Sequence, residues 1–328
     1  MALPPEAEHA VAIPPAMKTS PSTISIILVS WNTRELLRAC LRSVYAQADS
    51  AHGAPLELIL IDNASTDGTP AAIRAEFPAV RLIHNPVNVG FAAANNQGLS
   101  MASGEILILL NPDTELRPGS VAALADFMEA YPTAGAAGAL LLNPDGTLQD
   151  SAYPMLGLGR EIWRMLHLDR LHRLASYPLE DWASGGPRGV GVAQGACLAL
   201  RRKALESVGL LDEQYFMYTE EVDLCYRMAR AGWGVYWVPQ ARVLHYGGQS
   251  TRQAETEMFL RLYESKVRFF RKHFGAGAAR LYKAILAVVS VPRIFAGALP
   301  VPGSTLDRAG RSGMSKRYRR LLGALHHM

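Results

Sequence analysis

Cysteine is scarce: Cys40, Cys197 and Cys225 are the only three among 328 residues. They form no CxxC pair, and an odd number leaves no disulfide framework. They read as thiols packed as small hydrophobes in a reducing compartment. Long apolar runs are also missing. The longest stretch towards the C-terminus, Ala284–Pro292, is bounded by Lys283 and Arg293. A spanning helix needs about 20 apolar residues, so no transmembrane helix is expected. Residues 1–22 are rich in Ala and Pro but have no basic segment followed by an apolar core. They read as a flexible leader and not as a signal peptide. There is no GxxxxGK[ST] and no GxGxxG after the first strand, which sets aside a P-loop and a dinucleotide fold. The glycines between Gly185 and Gly191 lack that spacing and read as a loop. No repeat period is visible.

What is present is an ordinary globular composition, 49% hydrophobic and 19% charged, in a chain long enough for one large domain or two smaller ones. The net charge of +4 conceals an asymmetry. Residues 261–328 carry 14 Lys/Arg against two acids, Glu264 and Asp307, a net +12. Residues 1–260 carry 19 against 27, a net −8. An acidic body with a basic tail suggests anionic substrates and a surface-binding C-terminus.

Periodicity gives alternating strands and helices. Ile24–Val29 reads as a buried strand. Thr33 is an expected N-cap for a helix carrying Leu37, Cys40, Leu41 and Val44. Strands are expected at Leu58–Ile61, Val80–Ile83, Ile106–Leu110 and near Ala137–Leu142. Helices are expected at Pro70–Phe77, Gly90–Ala102 and 119–130, the second built of small residues for close packing. Residues 151–189 have weak periodicity and read as an insertion with short helices. One or two strands in Val190–Leu200, a helix Glu220–Ala231 and a strand Val235–Val238 follow. Residues 254–274 are strongly helical in pattern, and 276–299 extend it. Such alternation predicts a layered α/β sheet. Polar residues gather just after the strands, where open α/β sheets bind ligands.

Four constellations carry chemistry. Asp62 opens Asn63-Ala64-Ser65-Thr66-Asp67-Gly68; this is either an Asx-turn capping the next helix or a carboxylate that meets a pyrimidine N–H. Asn111-Pro112-Asp113 is either a turn opening helix 119–130 or a single-carboxylate site for Mg²⁺ or Mn²⁺ completed by phosphates and water. Glu220, Glu221 and Asp223 crowd a helix start. They form a solvated acidic turn, or a general base whose pKa is raised by its neighbours. His245, after a strand and before Gly247-Gly248, is either structural or reaches a metal or phosphate.

Together these segments resemble glycosyltransferase family 2, the inverting nucleotide-sugar transferases of GT-A fold, and within it the bacterial rhamnosyltransferase-like branch. The resemblance spans about Ile24 to Ser250. It rests on Val29-Ser30-Trp31-Asn32, Ile61–Gly68, Asn88–Gly98, Leu109–Thr114, Gly195–Arg202 and Leu211–Cys225, taken in order. It implies a Rossmann-like mixed β-sheet flanked by helices in a catalytic domain at 23–252. The insertion 151–189 would lie on the acceptor side, with a basic amphipathic helical extension at 253–328. By the same resemblance Ser30 and Asp62 contact the base, with Asn32 and Asn63 beside them. Asn88, Gly90, Phe91 and Asn95 line the donor pocket. Asn111 and Asp113 meet the diphosphate, and Asp113 with His245 holds the divalent cation. Gly195 and Ala196 face sugar and acceptor. Glu221 stands at the base position, supported by Glu220 and Asp223. The family often has Asp where Asn111 stands, and Asp where Glu221 stands; one anionic ligand fewer implies weaker metal affinity.

The implied reaction is inverting transfer from dTDP-rhamnose, or from a UDP-sugar, to a glycan or lipid-linked acceptor in cell-surface polysaccharide synthesis. The rival from another class is a non-catalytic nucleotide-sugar-binding protein. A third, nucleic-acid binding through Arg317, Tyr318, Arg319 and Arg320, lacks a recognition module, so no nucleic-acid partner is expected. The mixture of apolar and basic residues over 258–299 instead suggests peripheral contact with anionic lipid at the inner face of the cytoplasmic membrane.

Overall fold

All seven residues of β1 (Ile24–Ser30) are buried, as expected of a strand covered on both faces. The computed structural model describes residues 23–47, 56–248, 254–298 and 308–328. The expected leader 1–22, and Gln249–Ser250 behind His245, lie outside the described residues. β1 pairs in parallel with β2 (Leu56–Asn63) and β4 (Ile106–Leu110), and β2 with β3 (Arg81–Asn85). Further along are β5 (Thr114–Leu116), β6 (Ala134–Leu142), β11 (Cys197–Arg201) and β12 (Gly234–His245). The strand order is β3-β2-β1-β4-β11-β6-β12-β5. β11 runs antiparallel to both neighbours, β12 is parallel to β6, and β5 is antiparallel to β12. The expected mixed sheet is therefore present.

Side chains alternate between two cores. Ile24, Ile26 and Leu28 pack under α1 (Arg34–Tyr45) and α4 (Ser120–Ala130). Ile27 and Val29 face the opposite core, which contains residues of α3 (Phe91–Met101) and α8 (Glu220–Arg230). α3 comes close because it is made of small residues. A Cβ at Gly98 would stand 2.5 Å from Ile27 Cγ2 and 2.9 Å from Ile61 Cδ1. All three cysteines are free and buried, and burial pushes each thiol up to about 12.

The remaining elements are α2 (Thr69–Glu76), β7 (Leu148–Gln149), β8 (Ala152–Tyr153), α5 (Leu158–Met165), α6 (Leu179–Trp182), β9 (Arg188–Gly189), β10 (Val192–Ala193) and α7 (Arg202–Val208). The segment 151–189 thus holds short helices and paired strand fragments, and α5 contacts α9 (Glu255–Ala298). α9 is two helical stretches joined at Gly275, whose φ of 84° lies in the left-handed region. It packs along α10 (Arg308–Ala324).

Four local expectations are corrected. Thr33 does stand at the N-cap of α1, but its hydroxyl makes no capping bond and lies 3.0 Å from Ser30 Oγ instead. Asn111-Pro112-Asp113 does not open a helix, because β5 follows directly and Gly119 precedes α4. His245 is the last residue of a 12-residue strand and not a residue beyond one. A register shift between Val238 and Arg242, around Pro239, had cut that strand in two in the sequence pattern. Finally, the helix over Glu255–Phe295 includes an 18-residue window long and apolar enough to cross a membrane, of which 22% is buried. Lys283 and Arg293, which break the run in sequence, turn onto the protein and donate to the carbonyls of Met328 and Met165. The outward face stays apolar: Phe274, Leu281, Val288, Val291 and Phe295 are all exposed.

Candidate active site

A cavity of about 220 Å³ opens at the carboxyl ends of β1, β2 and β4. That is the edge where a change of strand direction leaves a crevice. Val29 and Trp31 contribute from β1, Asn63 from β2, and Asn111, Pro112 and Asp113 from the end of β4. Gln194, Gly195 and Ala196 come from the turn before β11, and His245 and Gly248 from the end of β12. Phe216, Met217, Tyr218, Glu220 and Glu221 close the cavity from α8 and the turn before it, and Met258 from α9.

Strand register places the Asp113–His245 pair. β12 lies antiparallel to β5 with His245 opposite Thr114, and Tyr246 N–H donates to Asp113 O at 2.9 Å. His245 Nε2 is then 3.5 Å from Asp113 Oδ1, and both side chains are largely buried. Its other nitrogen, Nδ1, lies 2.5 Å from Gln149 Oε1 on β7. A carbonyl oxygen there can only accept, so Nδ1 is the donor, and Nε2 is the ring nitrogen that would be offered to a cation held beside Asp113. Close by, Asn111 N–H donates to Ala196 O at 2.9 Å, while Asn111 Oδ1 is buried without a partner. One carboxylate oxygen, one imidazole nitrogen and one amide oxygen suit a hard divalent cation that takes its remaining ligands from phosphate and water. No cluster of three His, Cys, Asp or Glu that could hold a metal by itself occurs among the described residues.

Glu220 and Glu221 form the second pair. They begin α8, where the helix N-terminus favours negative charge. The chain enters through Tyr218 (φ 67°) and Thr219 (φ 71°), two successive left-handed residues. Among the described residues five non-glycines have positive φ, and Asn32, Ala64, Tyr218 and Thr219 of these sit on loops around this cavity. Such conformations cost about 1–3 kcal/mol each and tend to be kept at functional sites. Burial pushes Glu220 well above the usual carboxylate range, and the charge of Glu221 adds to it. Burial also raises Glu221, against the pull of nearby backbone N–H groups. One oxygen of each carboxyl, Oε2, is buried without a partner. Two neighbouring carboxyls that both resist ionisation make a stronger base, once one of them is deprotonated, than an ordinary surface glutamate.

Asp223, grouped with these two by sequence, does something else. Its carboxylate is fully buried and takes Arg227 Nε at 2.7 Å, Lys272 Nζ at 2.8 Å and His273 Nε2 at 2.7 Å. Burial opposes its charge, but these bonds outweigh burial and hold it well below the ordinary value. It does not line the cavity; it pins α8 to α9.

The polar residues after β1 and β2 are mostly structural as they stand. Asp62 is fully buried; its Oδ2 accepts Ser65 N–H at 3.0 Å and lies 2.8 Å from His84 Nδ1, while Oδ1 has no partner. Asp62 therefore closes the turn but does not cap the next helix, whose N-cap is Gly68, and one acceptor is left over. Asn32 N–H donates to Ser65 Oγ and its side-chain oxygen accepts Thr66 N–H, clasping the two loops together. Ser30 is fully buried beside Thr33 and does not line the cavity. Asn63 donates to Asn88 Oδ1 at 2.8 Å and accepts Val89 N–H at 3.0 Å, and both asparagines face the cavity. Gly90 must be glycine: with φ 90°, a Cβ would meet Phe216 O at 2.7 Å. Phe91 lines the cavity, but Asn95, expected there, bonds back to Phe91 O inside α3 and does not. Gly195 faces the base pair, since a Cβ there would lie 3.8 Å from Glu221 Cβ. Sequence reasoning missed Gln149, Gln194, Phe216, Tyr218 and Met258; Gln149 and Met258 arrive by chain crossings far apart in sequence, while Gln194, Phe216 and Tyr218 adjoin residues that were expected there.

Comparisons with known proteins point one way. The family model described as "Glycosyl transferase family 2" matches residues 25–209. N-acetylglucosaminyl-diphospho-decaprenol L-rhamnosyltransferase of Mycobacterium tuberculosis is 37% identical over 219 residues, covering 60% of this chain and 68% of that protein. The O-antigen biosynthesis protein RfbC of Myxococcus xanthus is 30% identical over 236 residues, 70% of this chain but 18% of that protein. Among solved structures, a mannosyltransferase from Pyrobaculum calidifontis in complex with GDP-Man and Mn²⁺ superposes with a TM-score of 0.56 at 20% identity. The match covers 94% of this chain and 85% of that one. At that identity the likeness is one of fold.

Proposed function

The chain belongs to glycosyltransferase family 2 and is a rhamnosyltransferase-like glycosyltransferase of GT-A fold; from that premise we propose that it moves a sugar, with inversion, from a nucleotide diphosphate to a glycan or lipid-linked acceptor. dTDP-rhamnose is the first candidate donor and a UDP-sugar the second, because the rhamnosyltransferase of Mycobacterium tuberculosis is the better-covered relative. The observation that carries the reading is the sharing of one cavity by two unlike pairs: the proton-accepting Glu220–Glu221 and the metal-competent Asp113–His245.

In this reading Glu221 takes the proton from an acceptor hydroxyl. The freed oxygen attacks the anomeric carbon from the face opposite the diphosphate, and the bond from that carbon to the diphosphate oxygen breaks. Glu220, the more strongly raised partner, lies beside Glu221 on the same cavity and disfavours loss of the pair's protons to solvent. Asp113, His245 and the amide oxygen of Asn111 would hold a Mg²⁺ or Mn²⁺ ion, which supplies positive charge against the leaving diphosphate. Asn63 holds Asn88 at the cavity wall, and the unpartnered oxygen of Asp62 is an acceptor left over for the base.

The outward apolar stripe of α9 and the basic residues of the tail support peripheral contact with an anionic membrane at the cytoplasmic face, where lipid-linked acceptors are presented. A donor panel of dTDP-rhamnose, UDP-glucose, UDP-galactose and GDP-mannose, read by thermal shift with and without Mn²⁺, tests the donor assignment. The expected result is a metal-dependent rise in Tm, largest with dTDP-rhamnose. A larger rise with GDP-mannose would contradict it.

A further inference from the structure

A second cavity, of about 190 Å³, lies between α5, α9 and α10. Taking ~30 Å³ per water, it has room for a phosphate-sized group. Its chemistry is lopsided. Arg164, Lys266 and Arg293 line it, and the only carboxylate lining it is Glu161. Glu161 is almost fully buried; it takes Lys266 Nζ at 2.9 Å and Tyr282 OH at 3.1 Å on one oxygen and Arg164 on the other. Arg293 donates to the carbonyls of Val289 and Met165 and lies over the ring of Tyr318, and no carboxylate pairs with it among the described residues. Three cations thus face one anion in a partly dry space. Burial, with the charge of Arg164 adding to it, pushes Lys266 well below its ordinary value, so an anion seated beside it would favour its charged form. Such a site gains from binding an anion, and two arginines and a lysine suit phosphate oxygens.

Its position says which anion. Met258, on the main cavity, and Lys266 are eight residues apart on α9, or about 12 Å. Between them Phe259, Leu262 and Tyr263 form a wall, with Phe259 in edge contact with both Tyr263 and Tyr318. A glycan short enough to span that wall joins the two cavities. The exposed stripe Leu281, Val288, Val291 and Phe295 lies on the side of α9 away from this cavity. With that stripe resting on a bilayer, the cavity stands about one helix diameter, ~10 Å, above the acyl boundary, at the depth of lipid headgroups.

We propose that Arg164, Lys266 and Arg293 form a phosphate site that holds the lipid-borne phosphate or diphosphate of the acceptor while its sugar reaches Glu221; this rests on the lipid-linked acceptor proposed above. The test uses the full chain with dTDP and Mn²⁺ in saturating amounts, and decyl diphosphate as probe in titration calorimetry. Arg293→Gln is expected to weaken decyl diphosphate binding at least tenfold, Arg293→Lys to restore it to within threefold of the parent, and dTDP binding to stay unchanged. Arg164→Gln, at a half-exposed side chain, gives the same loss should Arg293→Gln not fold. Competition by phosphatidylglycerol vesicles, lost in the same variants, makes a bilayer headgroup the source of the phosphate. Failure of those vesicles to compete makes it the acceptor's own diphosphate. Equal decyl diphosphate binding by the parent and both Gln variants, or no binding by any, overturns the site. Intact decyl diphosphate binding with no binding of either dTDP or UDP would overturn the glycosyl-transfer reading instead and leave the site standing.

Discussion

Glu220 and Glu221 are the residues whose environment differs most from that of ordinary surface acids. Both carboxyls are raised by burial, Glu220 the more strongly. A general base works only when deprotonated, so kcat/KM should climb with pH through a midpoint above 4.5, the ordinary glutamate value. A pH–rate profile of the metal-saturated enzyme reads this directly, and an ascending limb at or below 4.5 would contradict it. The same scale shows how far residue identity could be read without coordinates. Asp113, His245, Glu220, Glu221, Asn63, Asn88, Phe91, Gly195 and Ala196 do converge on one cavity. Asn95, Ser30 and Asp62 do not line it, because a helix interior and two strand ends bury them, and type and spacing alone do not reveal which way a side chain turns.

Asp223 shows the difference between a carboxylate cluster and a catalytic one at the level of elements. It sits one helical turn into α8 and joins that helix to Lys272 and His273 on α9, as well as to Arg227 on α8 itself. Removing one partner from a buried ionic network costs about 3–5 kcal/mol, so Asp223→Asn should lower unfolding stability by roughly 3 kcal/mol. Because the folded pKa is depressed, its contribution is present above the ordinary aspartate value of 3.8 and declines as pH falls below it. Urea unfolding at pH 7 and pH 3 checks both points: the gap between parent and variant should be wide at pH 7 and narrower at pH 3. The strands of the parallel half were legible because continuous apolar runs such as Ile24–Val29 leave no other reading. The long β12 was not, because Pro239 and its bulge interrupt the pattern that would have led to His245. The pairing of α8 with α9 was invisible for a different reason: it depends on contacts about 50 residues apart.

For the whole molecule, the asymmetry of charge acquires a location. The acidic body carries the cavity with its carboxylates, and the basic tail packs along it as α9 and α10, keeping an apolar stripe outward. Replacing Val288 and Phe295 by Ser should reduce flotation with phosphatidylglycerol vesicles severalfold, while dTDP binding is unchanged. Equal flotation by parent and double variant would rule out that stripe as the contact. Composition suggests a basic tail, but only the fold shows that Lys283 and Arg293 turn inward while Val288, Val291 and Phe295 stay exposed.

The account as a whole depends on Glu221 accepting the acceptor's proton. Single-turnover transfer by Glu221→Gln, measured beside binding of dTDP and Mn²⁺ to the same protein, is the direct test. The account predicts a loss of about 10²–10⁴-fold in the rate of transfer with nucleotide affinity retained. Transfer within a few-fold of the parent would contradict it.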